Sequence, residues 1–336
     1  MAYVLGGGNN EADGFTTAIA NFALRAMHES NGMVEMTNVV TPTQGNEFLV
    51  PNFQAITYQD YNPAGTGGST GYGDANEQNP ALAQQSITAT PAVAATAFDY
   101  FYGWTTSFQL AATLGAELGE SFAEKVDQRV AKAFASFKAT PGNTMYSASA
   151  DGFARVQELG AMELLPSGAT PAAATAGFTS TTVLEMVRNI KQNFKVARMP
   201  GSPVIVIDSN GDDGVVGSTL NRLLSELTGG AVNNNISALG NELLSTGMIE
   251  NIYGCRVIST TFLSSASRTV DGVASTSVLV GAYFGDSALF TVIKEGLQIK
   301  SGEKPGGLQA WLTGLGYFGS GVGDLRRGGA INIVQA

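Results

Sequence analysis

The sequence contains very few of the residues from which catalytic and metal sites are usually built. Among its 336 residues, His28 is the only histidine and Cys255 the only cysteine. A single cysteine excludes an intrachain disulfide and fits folding in a reducing cytoplasm. One histidine and one cysteine cannot form a zinc site of the usual tetrahedral kind. We therefore expect a structural or surface role for His28 and a packed strand position for Cys255.

Two other segments bear a partial likeness to ligand-binding loops. The Gly-rich stretch 65–73 matches neither the dinucleotide nor the P-loop pattern, and no lysine lies near it. The turn 208–214 begins like a calcium loop, but Asp213 and Thr219 stand where an EF-hand needs Gly and Glu. An Asx-rich turn is the preferred interpretation, and a cation site of another kind is the alternative. The sequence thus predicts no catalytic residue, cofactor or metal, and hence not an enzyme.

Charge is also scarce and unevenly distributed. Charged residues make up 14% of the chain, against about 25% in an ordinary soluble domain. Residues 1–124 contain one cation, Arg25, and twelve acids, and the first lysine is Lys125. A lysine-free acidic segment is a poor ligand for nucleic acid or an anionic membrane. We also expect no signal peptide and no transmembrane helix, because no long apolar run occurs.

The features that are present are architectural. An N-terminal arm is followed by a helix over about 13–30, with apolar residues on one face. Two extended runs, 47–58 and 85–102, then flank a Gly-rich tip at 62–73, which predicts one long hairpin. An isolated two-stranded ribbon is marginal in water. We therefore expect this hairpin to lie on another chain.

Apolar residues at three- and four-residue steps predict a long helix over 107–138. Gly115 and Gly119 fall inside it, where each costs about 1 kcal/mol relative to Ala. One hypothesis is a pliable segment that bends during maturation of an assembly. The alternative is that the helix begins later or that a neighbouring segment packs closely there.

The remainder of the chain predicts an α+β body, in which helices and strands are partly segregated. Helices are expected over 179–198, 218–228 and 237–246. Strands are expected over 203–208, 252–259, 276–284, 288–293, 297–299, 311–318 and 329–334.

This order of elements resembles the tailed-bacteriophage major capsid protein family, the Hong Kong 97-type fold. Three phrases are similar to the family's later strands: 247–257, which reads GMIENIYGCRV; 281–286 with 295–299; and 312–318 with 329–333. The resemblance implies an N-terminal arm at 1–45, an extended β-hairpin loop at 46–103 and a spine helix at 107–138. A peripheral domain would comprise 104–175 and 300–323, and an axial domain 176–299 and 324–336.

The resemblance further implies a non-enzymatic shell subunit that self-assembles as hexamers and pentamers into an icosahedral head around double-stranded DNA, without binding that DNA specifically. Some members of the family join subunits through an extended-loop lysine, and 46–103 contains none, so we expect a non-covalent shell. A separate scaffolding protein is expected because no long helical segment precedes the arm. A portal and a decoration protein are further expected partners. The protein would belong to the virion and assemble in the host cytoplasm.

Three alternatives stay open at this point. An encapsulin-type nanocompartment subunit shares the fold and would enclose a cargo enzyme instead of DNA. A hydrolase built on 179–336 would be a monomer, but the segment lacks an evident base, nucleophile motif and metal set. A phage tail tube protein would be mostly β and would lack the long helix.

Overall fold

The computed structural model of the protein describes residue 23 and residues 33–42, 45–53, 82–137, 147–148, 154–155, 159–165, 178–196, 199–209, 219–228, 251–263, 277–303 and 309–334. Four sequence predictions lie outside these ranges: the tip at 62–73, the helix at 237–246, His28, and most of the turn 208–214. The helix predicted over 13–30 is described only at Ala23, which is helical and buried.

Three α-helices and fifteen strands have described bounds. The helices are α1 (Tyr100–Phe134), α2 (Val183–Val196) and α3 (Thr219–Thr228). The first eight strands are β1 (Asn38–Val40), β2 (Glu47–Phe53), β3 (Leu82–Thr88), β4 (Thr90–Asp99), β5 (Ser147–Ala148), β6 (Ala154–Arg155), β7 (Met162–Leu164) and β8 (Phe178–Ser180). The others are β9 (Val204–Asp208), β10 (Asn251–Ile252), β11 (Cys255–Thr260), β12 (Ser277–Phe284), β13 (Leu289–Glu303), β14 (Gln309–Val322) and β15 (Gly328–Val334).

The long helix is confirmed, with bounds that differ from those predicted. Helix α1 has 35 residues, a length of about 50 Å at the rise of an α-helix. It begins at Tyr100, directly after β4, and not at residue 107. The predicted start was later because the aromatic residues at 100–104 have a strand-like composition, although they belong to the helix. It ends at Phe134, and Ser136 and Phe137 close a tighter turn by donating to the carbonyls of Ala133 (2.9 Å) and Phe134 (3.1 Å).

The base of the hairpin is confirmed by the antiparallel pairing of β2 with β3, from Glu47 opposite Thr88 to Phe53 opposite Leu82. The second extended run is not a single hairpin leg, however. It is interrupted at Ala89, and the following strand, β4, joins a different sheet. Composition could not show this division, because both halves are rich in small and β-branched residues.

Strands β1, β13, β14 and β4 form, in that order, a four-stranded sheet, called here the long sheet. Strands β13 and β14 pair antiparallel from Leu289 opposite Val322 to Glu303 opposite Ala310. The two strands predicted at 288–293 and 297–299 are one strand with register irregularities between Ile293 and Gln298. Such bulges break the alternating pattern that sequence reasoning relies on.

The seven-stranded sheet has the order β10, β11, β9, β12, β15, β7, β8. Its core against α2 and α3 includes Ile190, Phe194, Ile205 and Tyr283, all buried. The C-terminal half of α1 packs on other residues of the same sheet, and the rings of Phe134 and Phe284 stack with centroids 5.7 Å apart. Helix α2 begins at Val183, four residues after the predicted start, because Phe178–Ser180 pairs with β7 as a strand.

Sheet membership differs from the expected domain limits at several places. Strands β1 and β4, in the ranges expected to be the arm and the extended loop, belong to the long sheet, as does the part of β13 up to residue 299 that was expected to be axial. Strand β7, in the range expected to be peripheral, pairs with β15 in the seven-stranded sheet. The partners of β4 and β7 lie far along the chain, and local patterns do not specify them.

Candidate functional site

One face of the long sheet carries α1 and the other lacks it. Leu312 and Phe318 of β14 are buried on the helix side, where the ring of Phe318 meets that of Phe122 edge-on with centroids 5.0 Å apart. Because side chains alternate along a strand, the odd-numbered residues of β14 lie on the opposite face. We call this surface the helix-free face.

The part of the helix-free face formed by Val93, Ala95, Ala97, Trp311 and Leu315 is apolar and largely exposed. Val93 is 63% exposed and Trp311 38% exposed. The register places Trp311 opposite Ala97, Thr313 opposite Ala95 and Leu315 opposite Val93. A contiguous apolar patch of this kind is uncommon on a monomeric protein and is typical of an interaction surface.

The other end of the helix-free face is covered by the base of the hairpin. Val50, Ile87 and Ala89 are buried with Val292 of β13, and Phe48 and Phe290 pack against them with ring centroids 6.0 Å apart. Glycines of β14 permit this approach, since a Cβ at Gly321 would stand 2.9 Å from Ile87. The base of the hairpin is therefore anchored on the helix-free face.

Arg129 of α1 joins the helix, β4 and β14. Its guanidinium donates to the carbonyls of Thr90 (2.9 Å), Pro91 (3.4 Å) and Phe318, and lies 4.2 Å above the Phe318 ring. Burial lowers the pKa of the Arg129 guanidinium from its usual value. Sequence reasoning placed Arg129 only on the polar face of the helix, because backbone carbonyl partners leave no trace in the sequence.

Two connections run side by side between the sheets, β12 to β13 and β14 to β15. Gly323 N–H donates to the carbonyl of Ala288 (2.8 Å), and Gly285 N–H to that of Arg327 (2.9 Å). Asp324, nearly buried, accepts from the backbone and side chain of Arg326 (3.0 and 2.9 Å) and pairs with Arg327 (3.2 Å). This cluster fixes the junction between the two sheets.

A cleft of about 510 Å³ lies between α1 and β4. Its lining combines backbone and small residues of β4 with Leu118, Phe122, Glu124, Lys125 and Arg129 of the helix. No histidine, cysteine or pair of carboxylates lies among these lining residues.

Of the residues that sequence analysis considered for chemistry, the structure describes Cys255 and the start of the turn 208–214. Cys255 is fully buried in the core of the seven-stranded sheet, and burial raises the pKa of its thiol, with Lys191 acting in the opposite direction. Asp208 is buried at the end of β9, while 210–214 lies outside the described residues. Within the described ranges, no group of three or more His, Cys, Asp and Glu residues could hold a metal ion. Among the described helices, none combines the length and apolar character needed to cross a bilayer.

Comparisons with known proteins, by family and by structure, both match phage capsid proteins. A family described as phage capsid protein matches residues 108–332. A search of curated proteins found no sequence match.

Solved structures match over nearly the whole chain at low sequence identity. The capsid of cyanophage P-SCSP1u matches with a TM-score of 0.58 and 14% identity, covering 90% of this chain and 87% of that one. The mature capsid of bacteriophage PhiM1 matches with a TM-score of 0.54 and 13% identity, covering 88% and 85%. A virus-like particle from Pyrococcus furiosus matches with a TM-score of 0.52 and 9% identity, covering 94% and 98%. The fold is therefore the capsid fold of the Hong Kong 97 type predicted from the sequence.

Proposed function

The chain belongs to the phage capsid protein family, and from this premise we propose that it is the major capsid protein of a tailed phage whose hexamers and pentamers close into an icosahedral head around double-stranded DNA. The observation that carries the proposal is the exposed apolar part of the helix-free face around Val93 and Trp311, beside the base of the hairpin. A face and a ribbon of this kind are stable when neighbouring subunits cover them.

We assign the domains of the subunit by sheet. The long sheet with α1 forms the peripheral domain, and the seven-stranded sheet with α2 and α3 forms the axial domain. Relative to the limits expected from the sequence, residues 162–164 join the axial domain and residues 289–299 the peripheral one. The junction at Asp324 holds these two domains in one orientation.

The role is structural, and the subunit is a component of the virion that assembles in the host cytoplasm. Its partners are other copies of the chain, a separate scaffolding protein, a portal and a decoration protein. The DNA is enclosed without specific contacts, since the first 124 residues are strongly acidic. Family membership favours this function over the encapsulin-type compartment, because the matching family is one of phage capsids.

The test is to purify the particles formed by the full chain and image them by negative-stain electron microscopy. We expect closed icosahedral shells, with DNA and no cargo enzyme inside particles taken from infected cells. A monomer in size-exclusion chromatography, together with an absence of shells, would contradict the proposal.

The non-covalent nature of the shell has its own test. Because residues 46–103 contain no lysine, mature particles should dissociate in denaturing gels into a single band at the monomer mass. A ladder of cross-linked oligomers would show that subunits are joined by covalent bonds.

A further inference from the structure

Each leg of the hairpin is held at its base by one cation of the sheet-and-helix body. The second leg passes into β4 at Thr90 and Pro91, whose carbonyls Arg129 binds as described above. The first leg begins at Asn46, where Lys294 of β13 donates to the side-chain oxygen at 2.7 Å. The two legs are joined by a backbone bond from Ala89 N–H to the Asn46 carbonyl (2.8 Å).

The position of Lys294 in its strand is unusual. The register between β13 and β14 shifts between Ile293 and Glu295, so that Lys294 has no partner residue in β14. A bulge of this kind redirects a side chain out of the normal alternation. Here the ammonium lies 5.4 Å from the centroid of the Tyr317 ring and reaches Asn46. Tyr317 in turn packs against the buried cluster beneath the hairpin.

The two cations differ in the number and exposure of the contacts that must break before the side chain is released. Arg129 binds three carbonyls and is partly enclosed between α1 and the sheet. Lys294 makes one exposed hydrogen bond to a side chain and one weak contact with an aromatic ring. The Lys294 contact is therefore the more easily broken of the two.

We propose that Lys294 is a positioning residue that sets the angle of the hairpin relative to the long sheet, with the Arg129 contacts as the pivot. When Lys294 releases Asn46, the two paired legs can turn together about the Arg129 contacts. The buried contact of Val50 and Ile87 with Val292 then limits how far the base moves. The inference concerns the subunit itself, and only its consequence for shell formation rests on the proposed function.

The experiment measures hydrogen exchange of backbone amides in the full-length protein. Lys294→Met retains an unbranched side chain over Tyr317 but removes the donor to Asn46. We expect amides at 46–50 and 86–89 to exchange about three- to tenfold faster, since one hydrogen bond and one exposed cation–π contact are lost. Amides of β9 and β12 should exchange as in the wild type.

Two variants control the interpretation. Lys294→Arg keeps both charge and donors and should restore protection at the hairpin base. Lys195→Met removes an exposed lysine at the end of α2, away from the hairpin, and should leave the amides at 46–50 and 86–89 unchanged. The inference is overturned if Lys294→Met exchanges like the wild type, if Lys294→Arg exchanges as fast as Lys294→Met, or if β9 and β12 accelerate equally.

Shell formation separates this inference from the proposed function. If the wild-type protein forms no shells, the proposed function fails and hydrogen exchange still decides the role of Lys294. If it does form shells, we expect Lys294→Met to form uniform shells in severalfold lower yield than Lys195→Met. Equal yield and uniformity in the two variants would contradict a positioning role in assembly.

Discussion

The backbone of Ala23 lies directly against Gly119 of α1. A Cβ at Gly119 would overlap the Ala23 carbonyl oxygen and come within 2.9 Å of the Ala23 Cα. Both residues are buried. The close approach of the two backbones explains why residue 119 is a glycine. The sequence had left this explanation open as the alternative to a pliable segment in the long helix.

Gly119→Ala is expected to destabilise the subunit. Alanine raises intrinsic helix stability by about 1 kcal/mol, but the added methyl cannot be accommodated without displacing the Ala23 backbone. We expect a net loss of about 1–3 kcal/mol in the free energy of unfolding, as for an overpacked core. The change in the free energy of unfolding is measured by urea denaturation of the unassembled subunit. Ser121→Ala, at an exposed position of the same helix, should be neutral or slightly stabilising, and equal gains in both variants would show that no close contact exists at Gly119.

Removing the Arg129 contacts should loosen β4. In Arg129→Ala, the carbonyls of Thr90 and Phe318 lose a charged donor, and we expect a loss of about 2–4 kcal/mol. Arg129→Lys should recover less than half of it, because an ammonium cannot present the planar donors that reach several carbonyls together. Thermal unfolding compares the variants, with Lys132→Ala on the exposed side of α1 as the control. Full recovery by lysine would mean that charge alone accounts for the effect.

Asp324 predicts acid sensitivity at the junction between the sheets. Burial alone would raise the pKa of Asp324, but hydrogen bonds from Arg326 and the charges of Arg326 and Arg327 lower it below its usual value. A lowered folded-state pKa contributes stability that is present above the unfolded value of about 3.9 and is lost as pH falls through the folded value.

Asp324→Asn should therefore melt at a lower temperature than the wild type at pH 7, and the difference should narrow below about pH 4. Melting temperatures between pH 7 and pH 2.5 test this. Asp286→Asn, at an exposed acid of the neighbouring connection, serves as the control. A difference that stays constant down to pH 2.5 would show that the carboxylate charge of Asp324 is not responsible.

Glu226 of α3 caps the first turn of α2. Its carboxylate accepts from the N–H groups of Val183 and Leu184, each at 3.0 Å, and pairs with Arg222 at 3.5 Å. Glu226→Ala leaves those donors without this partner, so we expect a loss of about 1–3 kcal/mol in the free energy of unfolding. Denaturant unfolding compares it with Gln192→Ala, at an exposed position of α2, which should change stability by less than about 0.5 kcal/mol.

Features that depend on local periodicity and composition could be predicted from the sequence. The helical spacing of Leu118, Phe122, Val126 and Val130 predicted α1. Residues at this spacing lie on one face of a helix, and in the structure this face packs on the two sheets. The paired extended runs predicted the hairpin base because β2 and β3 are close in the chain on either side of a Gly-rich segment.

Features that depend on distant pairing could not be predicted in the same way. The division of the second extended run at Ala89 follows from β4 pairing with β14, more than 200 residues later. The roles of Arg129 and Lys294 depend on four oxygen atoms, of which those of Thr90, Pro91 and Phe318 are backbone carbonyls that any residue could supply. The cap at Glu226 joins two helices some 40 residues apart. In each case the partner is set by the fold and leaves no local pattern.

The helix-free face offers the most direct test of assembly. Val93 lies opposite Leu315 on this face and is 63% exposed, so Val93→Asp should leave the subunit folded. A carboxylate buried there by a neighbouring copy would lack a partner, which costs several kcal/mol per contact. We expect the variant to keep the wild-type circular dichroism and melting temperature of the subunit but to form no closed shells. Ser202→Asp, an exposed position on the loop before β9, should assemble normally. Normal shells from Val93→Asp would mean that this face stays open to solvent in the particle and that subunits meet elsewhere.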